Sequence, residues 1–595
     1  MTRQLCREKK VAVVPASVIQ RNLKKKDANN LDIQHTHCRK LPSRCKACVS
    51  KKEAVCLFDH FRAFKKGASG DPIYNPYFPS TSAPDTLQAV PCRVMIGSDR
   101  DQKKYILRTI RSAFVKLLEQ DLALYDRYRA TVRRRPPVLH MLHLCDFCAA
   151  AIFNIHWMCA VCGMDICPDC FHLQWDSDKK YRSISRCTYR RIHTKGHMIP
   201  VVKHTQEALS QLRNDAIAMK MDDPLLTNAS IPLLCNEPAP CEHDTNIATI
   251  DSLSANNDNR METTEDDKND VLVLPYQQMS STLFQQEWKK GKPVMIQQVD
   301  QKSQADWSPS YFINTYGNEK IDAIDCSTGI FEPSTVREYF EGFDDPSKRA
   351  SYDPTSKTSK TLKIKDWPPK DDFKNQFPIL YDDFMRMLPV PEYCTADGYC
   401  NLSNRLPDDF IRPDLGPKMF IAYGSVSGEK DVGTTNLHCD MSDAVNIMCY
   451  ACQDDDQPAA VWDIFPYEAL PKLQTFVQKL AVEQGFKNIG HPIHSQWIYL
   501  NDQLRQRLFE EYSVKSWRLY QNPGDAVFIP AGCAHQVSNY HSAIKCAYDF
   551  VSPENVNRCE DINHQVRQVK RQDVLQLKNT MLYAWVSVYK DYMDL

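Results

Sequence analysis

Two histidines and one aspartate carry the sharpest chemical signal in these 595 residues. His438 and Asp440 stand two apart in GTTNLHCDMSDAVNIMCY, and His535 follows in GDAVFIPAGCAHQVSNYHSAIKCAYDFV. Both histidines sit in alternating apolar sequence that reads as strand, and a Pro-Ala-Gly turn precedes His535. Two imidazoles and one carboxylate occupy one face of an octahedral Fe(II) and leave adjacent positions open, as an oxygenase requires to hold a chelating cosubstrate and O2 together. An H-x-D tripeptide arises readily by chance; the second strand-borne histidine singles this one out. The predicted iron ligands are therefore His438, Asp440 and His535.

Oxygenases of this kind use 2-oxoglutarate, whose far carboxylate needs a fixed cation. No Lys or Arg lies between Asp431 and Pro471, so the strand after the H-x-D cannot supply one. Lys545 stands ten residues after His535, an even separation that places both side chains on one face of a regular strand pair. It is the predicted anchor. Thr435, and Asn446 at even spacing from Asp440, are predicted hydrogen-bonding partners of the same cosubstrate. Two distant strands converging on one metal call for a double-sheet jelly roll of the cupin type, with Trp462 and Phe528 in its core.

A second constellation lies upstream. CDFCAAAIFNIHWMCAVCGMDICPDC holds three C-x-x-C pairs, Cys145/Cys148, Cys159/Cys162 and Cys167/Cys170, and Cys187, His193 and His197 follow. A C-x-x-C turn sets two thiolates on one tetrahedral Zn2+, and eight donors serve two ions. An interleaved cross-brace puts Cys145, Cys148, Cys167 and Cys170 on the first. Cys159 and Cys162 join two of Cys187, His193 and His197 on the second, with His193 and His197 the predicted pair. The order resembles a ZZ-type zinc finger. Four-ligand sites have no open position, so the zinc is structural, and His156 and Trp157 read as packing between the pairs. Arg182, Arg186, Arg190, Arg191 and Lys195 suit an acidic partner. Cys38, Cys45, Cys48 and Cys56, with a single C-x-x-C among them, leave a further four-cysteine site open.

The elements that must position these groups follow from pattern and composition. Lys+Arg and Asp+Glu are 74 each, which excludes a polyelectrolyte, yet residues 1–70 hold 17 basic against 5 acidic side chains and residues 221–270 hold 2 against 12. The expected organisation is a basic segment over 1–70, an amphipathic helix over 100–135 (Ile106, Ile110, Phe114, Leu117, Leu118, Leu122), the zinc module over 140–205, an acidic disordered linker over 221–270, the β-rich domain over 271–560 and a tail helix over 561–595. The class is multidomain α+β: a double-stranded β-helix with an upstream cross-brace finger and a helical tail. No apolar run approaches the roughly 18 residues of a membrane-spanning helix, and the basic first thirty residues are not a signal peptide. An intracellular, reducing setting with no membrane partner is the expectation.

TTNLHCDMSDAVNIM, LKIKDWPP at 362–369, NRLPDDFIRPDLGPKMF at 404–420, GDAVFIPAGCAHQVSN and IKCAYDFVSPENV together resemble the jumonji-C histone demethylases. The likeness is to the branch acting on lysine nine of histone H3, which also carries a cysteine-rich finger upstream. The resemblance covers roughly residues 140–205 and 271–560. It implies an Fe(II)- and 2-oxoglutarate-dependent nuclear enzyme that hydroxylates the N-methyl groups of mono- and dimethyl-lysine, with the iron ligands on His438, Asp440 and His535. It further implies the histone H3 tail or nucleosome, chromatin and transcription factors as partners, with DNA contact through the basic segments. Two other readings are a protein hydroxylase using the same centre, and a catalytically silent chromatin adaptor.

Overall fold

The computed structural model describes residues 31–41, 43–50, 56–66, 72–81, 85, 87, 99–135, 141–175, 187, 192–219, 270–368, 373–424, 433–452 and 456–593. The run Lys24–Lys26, the predicted linker except its last residue, and Arg182, Arg186, Arg190 and Arg191 lie outside them.

A helix spans Arg100–Tyr128 and starts with a capping box, in which Asp99 accepts from the Gln102 amide and Gln102 reaches back to the Asp99 amide. The predicted apolar stripe is buried. The helix ends at Tyr128, short of residue 135, because Arg133–Arg134 leave it to pair with a strand of the zinc module.

Numbered along the chain, β1 (Leu31–Ile33), β2 (Ala63–Lys66) and β3 (Pro72–Tyr77) make a small antiparallel sheet. β4 (Arg133–Arg134), β5 (His156–Cys159), β6 (Asp165–Ile166) and β7 (Met198–Val202) form the zinc-module sheet in the order β4-β7-β5-β6. The rest build the barrel: β8 (Leu272–Pro275), β9 (Val294–Gln297), β10 (Lys320–Asp325), β11 (Phe331–Thr335), β12 (Leu362–Trp367), β13 (Lys418–Ala422), β14 (Thr435–His438), β15 (Asp443–Ala451), β16 (Ala460–Ile464), β17 (Trp517–Gln521), β18 (Ala526–Ile529), β19 (His535–Asn539) and β20 (Ala543–Phe550).

Nine of these run as β11-β10-β12-β13-β20-β15-β18-β9-β8, and four run as β14-β19-β16-β17. The two sheets face each other: Ala444, Met448 and Ile529 from the larger pack with Trp462, Leu519 and Val537 from the smaller. Val445, Ile447 and Phe528 point out from the larger sheet into a second apolar layer. Phe284 meets Phe528 edge-on at 4.9 Å, and Trp288 meets Phe550 at 5.9 Å. Burial on both faces explains why β15 and β18 read as nearly continuous apolar runs. This is the double-sheet architecture expected.

Behind the barrel lie helices Val556–Gln568 and Leu577–Met593, so the stretch expected as one tail helix over 561–595 holds the end of one helix, a break and a second helix. Phe114 of the long helix stacks on Trp585 at 4.6 Å, and the Tyr105 hydroxyl donates to Glu554 at 2.6 Å. At its other end the Ile155 amide donates to Asp121 at 3.1 Å, so one helix braces both the barrel and the zinc module. Among the described residues no helix is long and apolar enough to cross a membrane.

Candidate iron centre and zinc sites

β14 and β19 are antiparallel neighbours with His438 directly opposite His535, and the two imidazoles lie 4.2 Å apart between ring centres. Asp440 follows β14 in a turn, with one carboxylate oxygen 3.9 Å from His438 Nε2 and the other 3.6 Å from His535 Nε2. His438 Nδ1 lies 2.8 Å from the Asn436 carbonyl and His535 Nδ1 3.0 Å from the Cys533 carbonyl. A carbonyl only accepts, so both Nδ1 atoms carry the proton and both Nε2 lone pairs face the aspartate. The tautomers a metal needs are thus set by the backbone. The three donor atoms lie within 4.8 Å of one another, and the set fits ferrous iron.

The ligands open onto a cavity of about 270 Å3 between the sheets, whose wall includes Thr435, Asn446, Trp462, Asn539 and Lys545. Lys545 is 4% exposed and donates to Asn539 Oδ1 at 2.9 Å, with its ammonium 5.4 Å from the Trp462 ring centre. Burial pushes it down to about 7. The structure therefore puts a lysine beside the predicted ligands, though not by the predicted geometry. β19 belongs to the smaller sheet and β20 to the larger, so the chain crosses the barrel between His535 and Lys545. The two side chains meet because opposite inner faces confront each other, a relation strand parity does not encode.

Thr435 and Asn446 both line the cavity, and Asn446 Oδ1 already accepts from Gln521 at 3.4 Å. Three contributors escaped the sequence reading. Asn539 holds the lysine; Thr434 bonds to the Val537 carbonyl at 3.2 Å and to Asn539 at 3.4 Å; Lys363 enters from β12 to donate to the Thr434 carbonyl at 2.7 Å. Asn539 had a usable signal, four residues after His535 on the same strand face. Lys363 had none, because its strand comes from far upstream.

Residues 432–550, which include the three ligands and Lys545, match the family model described as "JmjC domain, hydroxylase". The chain carries a JmjC domain. It is 27% identical to lysine-specific demethylase 3A of Mus musculus over 82% of this chain and 53% of that protein. It is 41% identical to lysine-specific demethylase 3 of Drosophila melanogaster over 51% of this chain and 40% of that protein. It is 36% identical to the probable JmjC domain-containing histone demethylation protein 2C of Homo sapiens over 51% of this chain and 13% of that protein. The chain spans 53% to 57% of the length of the demethylase 3A proteins of mouse, rat and chicken.

Upstream of the JmjC domain, Cys145, Cys148, Cys167 and Cys170 gather as one buried group, with Cys148 and Cys167 Sγ atoms 3.8 Å apart. The second group is Cys159, Cys162, Cys187 and His193, and His193 Nε2 lies 3.2 Å from Cys162 Sγ. His197 is not in it, which corrects the predicted pair. An H-x-x-x-H pair shares a face only on a helix, whereas here Thr194 is extended (φ −117°, ψ 154°) and a 3-10 turn follows. The buried thiol of Cys187 takes the place. The two groups interleave along the chain as a cross-brace does and, with four donors each, fit zinc.

Trp157 stacks on Phe171 at 4.1 Å, in keeping with a packing role. His156 joins a buried polar cluster in which Arg135 and His143 bond to Asp165 at 3.2 and 2.9 Å. The guanidinium already balances that carboxylate. A larger cleft of about 470 Å3 follows the seam between zinc module and C-terminal helices. Arg567 crosses this seam to donate to Cys167 Sγ at 3.0 Å and Asp169 at 2.6 Å.

Proposed function

We propose that the chain is an Fe(II)- and 2-oxoglutarate-dependent demethylase of mono- and dimethyl-lysine, acting on lysine 9 of histone H3 in the nucleus. The reading rests on one observation above all: within a matched JmjC domain, His438 and His535 are held in register with both Nε2 lone pairs toward Asp440, in a cavity that also holds a buried lysine. His438, Asp440 and His535 would hold the iron. Bound iron supplies the activation of O2, with 2-oxoglutarate as the electron donor that leaves as succinate and CO2.

The protein's own part is positioning. Lys545 supplies the cation for the far carboxylate of 2-oxoglutarate, and Asn539 and Thr434 fix where that cation stands. Burial makes the ammonium a strong partner for an anion, because charge left alone there is costly. Asp440 is the most exposed ligand, 39% against 15% and 5% for the histidine side chains, so the open side of the site lies by the aspartate and admits the methyl-lysine. Hydroxylation of an N-methyl carbon gives a hemiaminal, which breaks its C–N bond to release formaldehyde and leaves the amine one methyl shorter.

The proposed partners are the histone tail and, through the zinc module and basic segments, chromatin. The test is mass spectrometry of dimethyl-lysine peptides incubated with Fe(II), 2-oxoglutarate and O2. Formaldehyde and stepwise methyl loss are expected. A stable hydroxylated product without formaldehyde would make the protein a hydroxylase, and absence of succinate would make it a binding protein.

A further inference from the structure

We propose that Cys38, Cys45, Cys48 and Cys56 bind a zinc ion of their own, a third structural site that clips the amino-terminal segment onto the zinc module. All four are free thiols, at most 6% exposed, and their sulfur atoms lie within 4.8 Å of one another. Cys45 and Cys56 Sγ are 4.0 Å apart. A tetrahedral ion with bonds of about 2.3 Å spaces its thiolates by roughly 3.8 Å, so the group needs almost no rearrangement to close on one.

The surroundings suit thiolates. The Cys45 amide points at Cys38 Sγ at 3.1 Å, the Cys48 amide at Cys45 Sγ at 3.3 Å, and Gln34 Nε2 at Cys56 Sγ at 3.3 Å. Hydrogen-bond donors aimed at sulfur stabilise the charged form that ligates metal. Arg62 gives an independent sign. It is fully buried, yet its described hydrogen bonds go to neutral acceptors, Gln34 Oε1 at 2.9 Å and Ser43 O and Oγ at 3.1 and 2.9 Å. No carboxylate pairs with it among the described residues. A buried guanidinium without a counter-charge is costly. A zinc ion with four thiolates carries two net negative charges and supplies the missing one.

The site also has a structural task. The Lys46 amide, between Cys45 and Cys48, donates to the Cys162 carbonyl at 2.8 Å, directly on a ligand of the second zinc group. Gly163 follows at φ +72°, and a Cβ there would meet Leu57 Cβ at 3.0 Å, so the two segments approach as closely as glycine allows. Phe58, Phe61 and Phe78 share an apolar core with Met158, Ile199 and Val201 of the zinc-module sheet. The described residues between Leu31 and Lys66 are thus held both by the third ion and by packing against the module's own strands.

Zinc and iron counts on the full chain by inductively coupled plasma mass spectrometry test this. Three zinc ions per chain are expected, falling to two in the Cys38→Ser/Cys48→Ser double variant and staying at three in Cys48→His, which keeps a zinc-competent donor. Hydrogen exchange in the double variant should rise over 31–66 and around Cys162, with β14 to β20 unchanged. Two zinc ions in the wild-type protein, an unchanged count in the double variant, or extra iron with inorganic sulfide would each overturn the proposal. The wild-type count decides by itself should the variant not fold. None of these readouts depends on demethylation.

Discussion

In the zinc module Cys145 and Cys148 stand three residues apart, and a single turn presents both thiols to one ion. In the barrel His438 and His535 are 97 residues apart and meet only because β14 pairs with β19 in one register. The first arrangement has little to lose without its ion except its structure, since a small Cys/His fold buries too little apolar surface to stand alone. The second is the product of a large core that exists before any ion arrives. Metal should therefore be folding energy in one region and chemistry in the other.

Replacing ligands on each side tests this most sharply. Cys145→Ser should cost the module a large part of the roughly 10–16 kcal/mol typical of structural zinc, so hydrogen exchange over 141–219 should rise to that of an unfolded segment while β14 to β20 stay protected. Asp440→Ala should abolish succinate formation and leave the melting temperature and zinc content unchanged. A barrel that unfolds with Asp440→Ala would erase the contrast.

The barrel's independence rests on buried polar anchors. Asp443 is fully buried and accepts from the Ala531 and Ser552 amides at 2.8 and 2.9 Å and from Asn555 at 2.7 Å, tying the strand after the H-x-D to both chain segments around β19 and β20. Asp443→Ala strands these donors, and a loss of about 3 kcal/mol in denaturant unfolding is expected.

Lys545 probes the chemistry. Lys545→Met should raise the KM for 2-oxoglutarate about a hundredfold, equivalent to ~3 kcal/mol, with a smaller effect on kcat. Its ammonium is held down to about 7 by burial, so in the free protein it is charged below that pH and neutral above it. The KM for 2-oxoglutarate should accordingly rise with pH above about 7, by up to tenfold per unit, and the rise should vanish in Lys545→Met. For folding the sign is the reverse: between about 7 and 10.5 the unfolded chain holds more protons at this residue, so its contribution to stability grows as pH increases through that window.

The smallest effect concerns the seam. Arg567→Met removes the bonds to Cys167 and Asp169, and a loss of about 1–2 kcal/mol in the coupling of module to barrel is expected, read as faster exchange at the seam with normal iron-dependent turnover.

The same contrast governs what could be read in advance. Cys145/Cys148, Cys159/Cys162 and Cys167/Cys170 declare themselves because a C-x-x-C turn is local, and His438 with Asp440 does so nearly as well. The eighth zinc donor did not: choosing between Cys187 and His197 depends on the extended backbone at Thr194, which parts His197 from His193, and on the tertiary placement of the Cys187 thiol. Lys545 was found by its residue type and the lack of other cations nearby, but strand parity presumes one sheet where there are two. Lys363 and Thr434 stayed hidden because their roles are created where β12 and β19 meet the residue before β14.

By itself the sequence determined the C-x-x-C and H-x-D pairings, the strand and helix periods and the separation of a cysteine-rich module from a β-rich one, all of which are set within a few residues of backbone. The tertiary structure alone decided which histidine faces which, that the lysine crosses the barrel to reach them, that Cys187 displaces His197, and that four amino-terminal thiols close around one point. Those are matters of register and of one sheet confronting another, and they are fixed by the burial of apolar faces contributed from across the whole chain.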